Sequence, residues 1–135
     1  MLHISLRYPG VVTVREIAEL HGIPFKYLEQ ILFSLKRGGI LKSRRGVRGG
    51  YTLARPPEEI SIGEVLEAVD ARFSQTSCLR TERRRRYACP EGASCGLKQM
   101  WREVQKAVET ILYRTTLEDL RKRTLAGGGK RDAKS

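Results

Sequence analysis

Apolar residues near the start of the chain recur at helical spacing in two short segments that a glycine separates. The first segment, Thr13–Leu20, begins with the Thr-x-x-Glu pattern of a capping box, and the second runs from Pro24 to the Gly38-Gly39 pair. Between them the sequence has the form Ala-x3-Gly-x5-Leu. This spacing is typical of a helix-turn-helix, because the small residue lets the helices cross, the glycine permits the turn, and the leucine fills the angle. Those three positions are Ala18, Gly22 and Leu28.

The second predicted helix is amphipathic. Its apolar stripe, expected to face the core, consists of Phe25, Leu28, Ile31, Leu32 and Leu35. The opposite side then faces outwards. Glutamate can accept a hydrogen bond from cytosine, glutamine can pair with adenine, and lysine, tyrosine or arginine can hold phosphates, so this side is a candidate for reading DNA; an ordinary solvated helix face is the alternative. The candidate residues are Lys26, Tyr27, Glu29, Gln30 and Arg37.

Two short β-like runs follow, Ile40–Arg44 and Tyr51–Ala54, around a turn rich in glycine and arginine. A ribbon tip of this kind can enter a minor groove with its arginines, although a turn with solubilising charges has the same composition. A helix-turn-helix followed by a basic ribbon predicts a winged helix over residues 1–58, in a fold that is mainly α with a small β-hairpin. The arginines of the ribbon are Arg44, Arg45 and Arg48.

The second half of the chain predicts a linker, a loop and a long helix. A capping box of Ser61 and Glu64 opens a linker helix within residues 59–73. Residues 71–96 show no clean period, so residues 74–96, which contain the three cysteines, are predicted to form a sensor loop. Apolar residues then repeat at spacings of 4, 3, 4 and 3, as in a coiled-coil seam, which predicts a dimerisation helix and a homodimer. Residues 97–126 would hold this helix and a short last one capped by Thr116 and Asp119, and residues 127–135 a disordered tail. The seam residues are Leu97, Trp101, Val104, Val108 and Ile111.

The net charge narrows the class of partner. The 26 Lys and Arg residues outnumber the 15 Asp and Glu residues and leave a net charge of +11, with a pI near 10.1. This excess favours a polyanion, either nucleic acid or an anionic membrane surface. No apolar run approaches the ~20 residues that span a bilayer, and Met1–Gly10 lacks the pattern of a signal peptide. We therefore expect a cytoplasmic protein that binds double-stranded DNA and no membrane.

The stretch REIAELHGIPFKYLEQILFSLKRGGILKSRRGVRGGYTLARPPEEISIGEVLEAVD resembles the IscR/NsrR-type family of winged-helix transcription regulators. The combination of YLEQ with SxRGxxGGY is specific to this family, and a looser resemblance continues through the cysteines to TTLEDL. Met1–Gly10 resembles only the end of the longer first helix of family members. The resemblance implies a homodimer that represses or activates genes for iron–sulfur assembly, nitric oxide stress or cysteine metabolism. A dimer paired through the long helix would set its two recognition helices one DNA turn apart on a pseudo-palindromic promoter site. The resemblance also implies contacts to bases and phosphates from Tyr27, Glu29, Gln30 and Arg45.

Cys78, Cys89 and Cys95 form a C-x10-C-x5-C pattern. An odd number of cysteines argues against a disulfide framework, and structural zinc sites prefer closer pairs and four ligands, so this spacing suits an iron–sulfur cluster better. The resemblance implies that these three cysteines ligate a 2Fe-2S cluster. Where some family members have a histidine ligand three residues after the last cysteine, this chain has Lys98. The fourth ligand stays open among His21, Glu91 and a small external molecule.

Other chemistry also fits the cysteines: a thiol redox switch with a reversible Cys89–Cys95 disulfide, a zinc ion, or no ligand. Arg80 and Arg83–Arg86 bring positive charge to the same segment, which favours the thiolates that metal binding and oxidation both need. An enzyme is not expected, because neither a C-x-x-C motif nor a Cys–His–acid set is apparent. We therefore expect a transcription regulator, with repression the expected outcome, controlled by a cluster or by thiol redox state. The alternative is a redox-sensitive interaction module that docks on a metabolic enzyme.

Overall fold

The computed structural model describes residues 1–70 and 95–127, which form six helices and one antiparallel β-hairpin. The predicted fold class, mainly helical with a small hairpin, is confirmed. No helix within these two ranges is long and apolar enough to cross a membrane. The elements are α1 (Leu2–Leu6), α2 (Val14–His21), α3 (Phe25–Arg37), β1 (Leu41–Arg44), β2 (Gly50–Leu53), a 3-10 turn (Pro57–Glu59), α4 (Ile62–Ala68), α5 (Gly96–Arg114) and α6 (Leu117–Gly127).

The turn between α2 and α3 forms as the sequence predicts. Gly22 ends α2 with φ of +60°, and the backbone N–H of Ile23 donates to the carbonyl of Ala18 at 3.1 Å. A Cβ at Gly22 would contact nothing, so glycine is favoured here by the left-handed backbone conformation and not by lack of space. Leu28 fills the angle between the two helices and is 4% exposed. The turn therefore fixes how α3 is presented.

The predicted capping box at Thr13 is only half correct. The Thr13 hydroxyl accepts from the backbone N–H of Glu16 at 3.1 Å, as expected. The Glu16 carboxylate instead accepts from the Arg7 guanidinium at 2.9 Å and lies 3.4 Å from Nε2 of His3. The reason is tertiary: cationic and polar side chains of the α1 region compete for a carboxylate that would otherwise return to the cap. Glu16 thus ties α2 to the N-terminal segment.

The core of the molecule lies between α3, the hairpin and the N-terminal segment. From α3 it takes Leu28, Leu32 and Leu35, each at most 4% exposed. Phe25, which the apolar stripe placed inside, is 48% exposed, so that part of the prediction is wrong. Phe25 is the first residue of α3, and Leu28, one turn later, is the first that the core covers. The buried apolar residues from other elements are Ile4, Val12, Ile17, Ile40, Leu41, Leu53, Ile60, Val65 and Leu117.

The hairpin is anchored to the chain that precedes α2. In the hairpin Leu41 pairs with Leu53 and Arg44 with Gly50. In addition, Val12 exchanges both backbone hydrogen bonds with Tyr51, at 2.9 and 2.8 Å, an addition that the sequence did not indicate. A side chain at Gly50 would collide with the backbone oxygen of Val12, which explains glycine at that position. The base of the ribbon is therefore held from two sides.

The predicted caps of α4 and α6 are both confirmed. Glu64 accepts from the backbone N–H of Ser61 at 2.8 Å while the Ser61 hydroxyl accepts from Glu64 N–H at 3.2 Å. Asp119 and Thr116 repeat this arrangement at 2.9 and 3.2 Å. The pKa values of Glu64 and Asp119 are lowered, in each case first by the backbone N–H that the carboxylate accepts. Both helices thus start at residues that the local pattern specifies.

The two caps also pair with each other across the molecule. Ser61 and Thr116 face one another in an antiparallel bridge. The N–H of Ile62 donates to Thr115 O at 2.9 Å, and the N–H of Leu117 donates to Ile60 O at 2.9 Å. This bridge fastens the end of α5 to the start of α4. It joins the C-terminal helices to the winged helix.

Candidate DNA-binding surface and cysteine segment

The outward side of α3 presents the predicted residues to solvent. At 100° per residue, positions 26, 30, 33 and 37 form one stripe opposite the buried leucines, with Tyr27 and Glu29 on its two flanks. Tyr27 is 60% exposed, and the other candidates on this helix are exposed as well. The structure therefore brings all five together on the open side of one helix. These candidates are Lys26, Tyr27, Glu29, Gln30 and Arg37.

One residue on this stripe was not among the candidates. Phe33 is 56% exposed, and the Arg37 guanidinium carbon lies over its ring, 5.9 Å from the centroid. The sequence alone could have indicated this position, because an aromatic residue outside the apolar stripe of an amphipathic helix must face solvent or a partner. The stripe of residues 26, 30, 33 and 37 is called the outer stripe of α3 below.

The ribbon arginines are exposed at and beyond the end of the hairpin. Arg44 is the last residue of β1, and Arg45 and Arg48 lie in the loop of residues 45–49. Gly46 has φ of +112°, and Gly49 donates its N–H to Gly46 O at 2.9 Å. The glycines therefore let the backbone fold into a tight tip whose flanking side chains remain in solvent. Ribbon and α3 are neighbours, since β1 follows α3 and packs against it.

The charge of this region is not neutralised from within the part of the chain that the structure describes. Residues 24–50 contain seven Lys and Arg residues against one Glu, net +6. The ion pairs between described residues join Arg7 and His3 to Glu16, Arg15 to Glu19, Arg55 to Glu64 and Arg121 to Glu118. None of them uses an arginine or lysine of α3 or of the ribbon. Unpaired cations concentrated on one side form an electrostatic footprint for a polyanion.

Cys95 is the single cysteine among the described residues, and it is a free, partly exposed thiol. It precedes the first residue of α5 as the N-cap, but its side chain accepts no capping hydrogen bond. Within residues 1–70 and 95–127 no group of three or more His, Cys, Asp and Glu side chains comes together as a metal site. Cys78, Cys89, Arg80, Arg83–Arg86 and Glu91 lie outside the described residues. His21, the described candidate for a fourth ligand, is exposed on α2 with its ring edge-on to that of His3.

No other part of the described structure buries the apolar seam of α5. Its 19 residues extend about 28 Å at about 1.5 Å per residue, and none of them is buried. Leu97 is 60% exposed, Val104 36% and Ile111 54%, while Trp101 and Val108 are half-buried. A regular apolar seam that remains open along a helix of this length is the pattern of a helix that pairs with another.

Comparison with known proteins identifies one family. The family described as "Rrf2: Iron-dependent Transcriptional regulator" matches residues 1–123. The HTH-type transcriptional regulator IscR of Aliivibrio salmonicida is 34% identical over 121 residues, which cover 89% of this chain and 69% of the relative. The sequence resemblance to winged-helix regulators of this type is confirmed.

Solved structures of regulators share the fold. CymR, the global cysteine regulator of Bacillus subtilis, superposes with a TM-score of 0.74 at 26% identity, over 91% of this chain and 88% of CymR. The oxidized form of Staphylococcus aureus CymR gives a TM-score of 0.66 at 29% identity, over 89% of this chain and 85% of that one. The DNA-contact and cluster residues named from the sequence remain predictions for this chain.

Proposed function

Because this chain belongs to the Rrf2 family of transcriptional regulators, we propose that it is a homodimeric, sequence-specific DNA-binding repressor whose promoter occupancy depends on the chemistry of its three cysteines. Its relatives are regulators and not enzymes, so it regulates transcription and is not an enzyme. Nothing in these relatives favours the alternative of a module that docks on a metabolic enzyme.

One observation carries the DNA-binding proposal: every predicted contact residue on α3 and on the ribbon is exposed, and the cations among them have no acidic partner within the described residues. Glu29 and Gln30 would read base edges in the major groove, with Tyr27 and Lys26 on phosphates. Arg45 and Arg48 would enter the flanking minor groove from the ribbon tip. Bound across a promoter, the protein would block access of the polymerase.

Selection of binding sites from a pool of random duplexes, followed by footprinting on the selected site, tests this proposal. The expected result is a pseudo-palindromic site with two protected half-sites about one helical turn apart. A double variant, Arg45→Ala with Arg48→Ala, should lose protection at the flanks of each half-site. Lys122→Ala, which removes an exposed charge of α6, serves as the matched control. Failure to enrich any sequence would contradict sequence-specific binding.

Dimerisation through α5 rests on the open seam described above. Two antiparallel or parallel copies of α5 would bury Leu97, Val104 and Ile111 against each other, which removes exposed apolar surface. Val104→Asp should shift the molecular mass measured by light scattering from dimer to monomer. Gln99→Asp, an exposed change on the same helix, is the control. An unchanged mass for Val104→Asp, or a monomeric wild type, would contradict the proposed interface.

The cysteine proposal has two versions. The family description as iron-dependent and the IscR relative support a cluster held by Cys78, Cys89 and Cys95, while the oxidized form of a CymR relative supports a thiol switch. A cluster would supply a redox-sensitive centre that is lost on oxidation. Protein made without oxygen should carry iron and acid-labile sulfide if a cluster forms. A colourless product whose oxidation yields a Cys89–Cys95 disulfide, seen by mass spectrometry, would favour the thiol switch.

The connection of the cysteine segment to α3 is short. The segment follows α4, and Ala68 of α4 lies so close to Gly38 at the end of α3 that a Cβ on Gly38 would come within 2.6 Å of the Ala68 Cβ. Cys95 lies at the other end of the segment, directly before α5, and the end of α5 is hydrogen-bonded to α4 through Thr115 and Ile62. We infer that rearrangement of the segment moves α4 and, through this contact, the presentation of α3. A difference of a few kcal/mol between two arrangements would suffice to switch occupancy.

A further inference from the structure

We propose that Phe33 reads the 5-methyl group of a thymine in the major groove, an inference that rests on the proposed DNA-binding function. Phenylalanine is usually buried, yet Phe33 is 56% exposed. Rotation by 100° per residue places it within about 60° of Lys26, Gln30 and Arg37 around the helix. An aromatic side chain therefore stands in the middle of the face expected to enter the groove.

The side chains around Phe33 on the outer stripe indicate that DNA, and not another protein, binds there. The neighbours of Phe33 on the outer stripe are two cations and an amide, which suit phosphates and base edges better than the apolar surface of another protein. Phe33 has no donor or acceptor for a hydrogen bond. Along the major groove of an intact duplex, the apolar group that a base presents is the thymine methyl, and apolar side chains recognise it by contact.

Arg37 adds a constraint on the ring. Its guanidinium carbon lies 5.9 Å from the ring centroid, and no carboxylate among the described residues pairs with it. This cation–π contact lies on one face of the ring and favours the ring orientation that makes it. The other face and the edge stay available to a base. The restricted ring loses less entropy on contact with DNA than a free side chain would.

Deoxyuridine supplies the test, because it differs from thymidine only by the missing methyl and keeps every hydrogen-bonding group. Duplexes selected by the wild-type protein are synthesised with one thymine at a time replaced by deoxyuridine, and each dissociation constant is measured by fluorescence anisotropy. For the wild type, replacement at one or two thymines in each half-site should weaken binding about fourfold per methyl, the ratio that burial of one such group corresponds to. Replacement at the other thymines should have no effect.

Three variants test whether Phe33 is the residue that contacts the thymine methyl. Phe33→Ala should bind thymine and deoxyuridine duplexes equally at those positions, and Phe33→Leu, which keeps an apolar side chain, should retain a preference for thymine. Phe25→Ala is the matched control, since Phe25 is a similarly exposed aromatic residue of α3 that lies off the outer stripe. It should keep the full preference. The preference should also be independent of salt, because an apolar contact releases no counterions.

The outcomes separate this inference from the proposed function. If the wild type enriches a sequence but deoxyuridine weakens binding at no position, or weakens Phe33→Ala as much as the wild type, the Phe33 assignment is wrong while DNA binding stands. A Phe33→Ala protein that matches the wild type on every duplex would likewise overturn the assignment. If the wild type enriches no sequence at all, the proposed function itself is contradicted.

Discussion

The ring of Tyr113 near the end of α5 packs directly on Gly63 at the start of α4. A Cβ on Gly63 would lie 2.7 Å from three carbon atoms of that ring, closer than side chains approach one another. Glu67, one turn further along α4, is the group that acts most strongly on the hydroxyl of the same tyrosine and raises its pKa. Together with the bridge between Ser61 and Thr116, this contact makes α4 and the end of α5 one packed unit.

Gly63→Ala should therefore destabilise the protein, because the added methyl must displace the Tyr113 ring. We expect a loss of about 1–3 kcal/mol in the free energy of unfolding, the usual range for overpacking. Gly96→Ala is the control, since a Cβ on Gly96 of α5 meets nothing and alanine favours the helix. Urea unfolding at equal protein concentration compares the two. Gly63→Ala unfolding no more easily than Gly96→Ala would contradict the close packing.

The influence of Glu67 on Tyr113 should be measurable at high pH. Hydrogen bonding to Glu67, more than any other cause, raises the pKa of Tyr113 from 10.0 to about 12. Since the folded state holds the proton more tightly, the resulting stabilisation is complete below pH 10 and is lost as the pH rises through about 12.

Glu67→Gln should lower the pKa of Tyr113 towards 10.0. Ultraviolet titration of tyrosinate, taken as the difference between each protein and its Tyr113→Phe counterpart, measures this value. Glu103→Gln, an exposed change elsewhere on α5, controls for the loss of one charge. An unchanged Tyr113 titration in Glu67→Gln would show that the hydroxyl does not bond to this carboxylate.

The stabilisation that the capping box at Ser61 provides should depend on pH in the acid range. The N–H bond from Ser61 to Glu64 lowers the pKa of that carboxyl below 4.5, so the stabilisation is present above this pH and is lost as the pH falls through the lowered value. Ser61→Ala, which removes the hydroxyl but keeps the N–H, should cost about 1 kcal/mol at neutral pH, the usual value of an N-cap, whereas Glu64→Gln, which removes the titrating carboxyl, should flatten the acid dependence of unfolding. Thr110→Ala, which removes a hydroxyl bonded within an exposed turn of α5, should change neither. A Glu64→Gln protein with the acid profile of the wild type would contradict the assignment.

Local signals in the sequence were enough for several features and not for others. The caps at Ser61 and Thr116 and the turn at Gly22 depend on neighbours within a few residues, and the structure contains all of them. The bridge between Val12 and Tyr51 joins positions 39 residues apart, and no local pattern encodes such a pairing.

The wrong predictions for Phe25 and Glu16 also arise from tertiary structure, which no local pattern encodes. Phe25 shares the apolar period of α3 but lies at the end of the helix, beyond the reach of the core. Glu16 fits a capping box, yet its carboxylate accepts a hydrogen bond from Arg7 instead. Phe33 was not predicted, because helical period assigns apolar residues to the buried stripe and Phe33 lies on the opposite side of α3. Periodicity predicts which residues share a face; tertiary contacts decide what that face meets.

Two variants separate base reading by α3 from sequence-independent binding by the ribbon. Gln30→Ala should lose discrimination at particular base pairs by about 1–3 kcal/mol each, while affinity for unrelated sequences changes little. Arg48→Ala should weaken binding to all sequences alike. Gln99→Ala, on the exposed side of α5, is the control. Competition assays with single-base variants of the selected site measure both effects, and a Gln30→Ala protein with unaltered sequence preference would refute the assignment of Gln30.

The central claim is that α3 and the arginine ribbon form one surface that binds the phosphates and bases of a duplex. The salt dependence of affinity for the selected site tests it most directly, because each neutralised phosphate releases counterions. We predict that the wild-type affinity falls about 10³-fold or more between 50 and 200 mM salt, as for six or more phosphate contacts per dimer, and that Arg48→Ala shows a shallower slope. An affinity that changes less than about tenfold over this range, with the same slope in Arg48→Ala, would contradict the account.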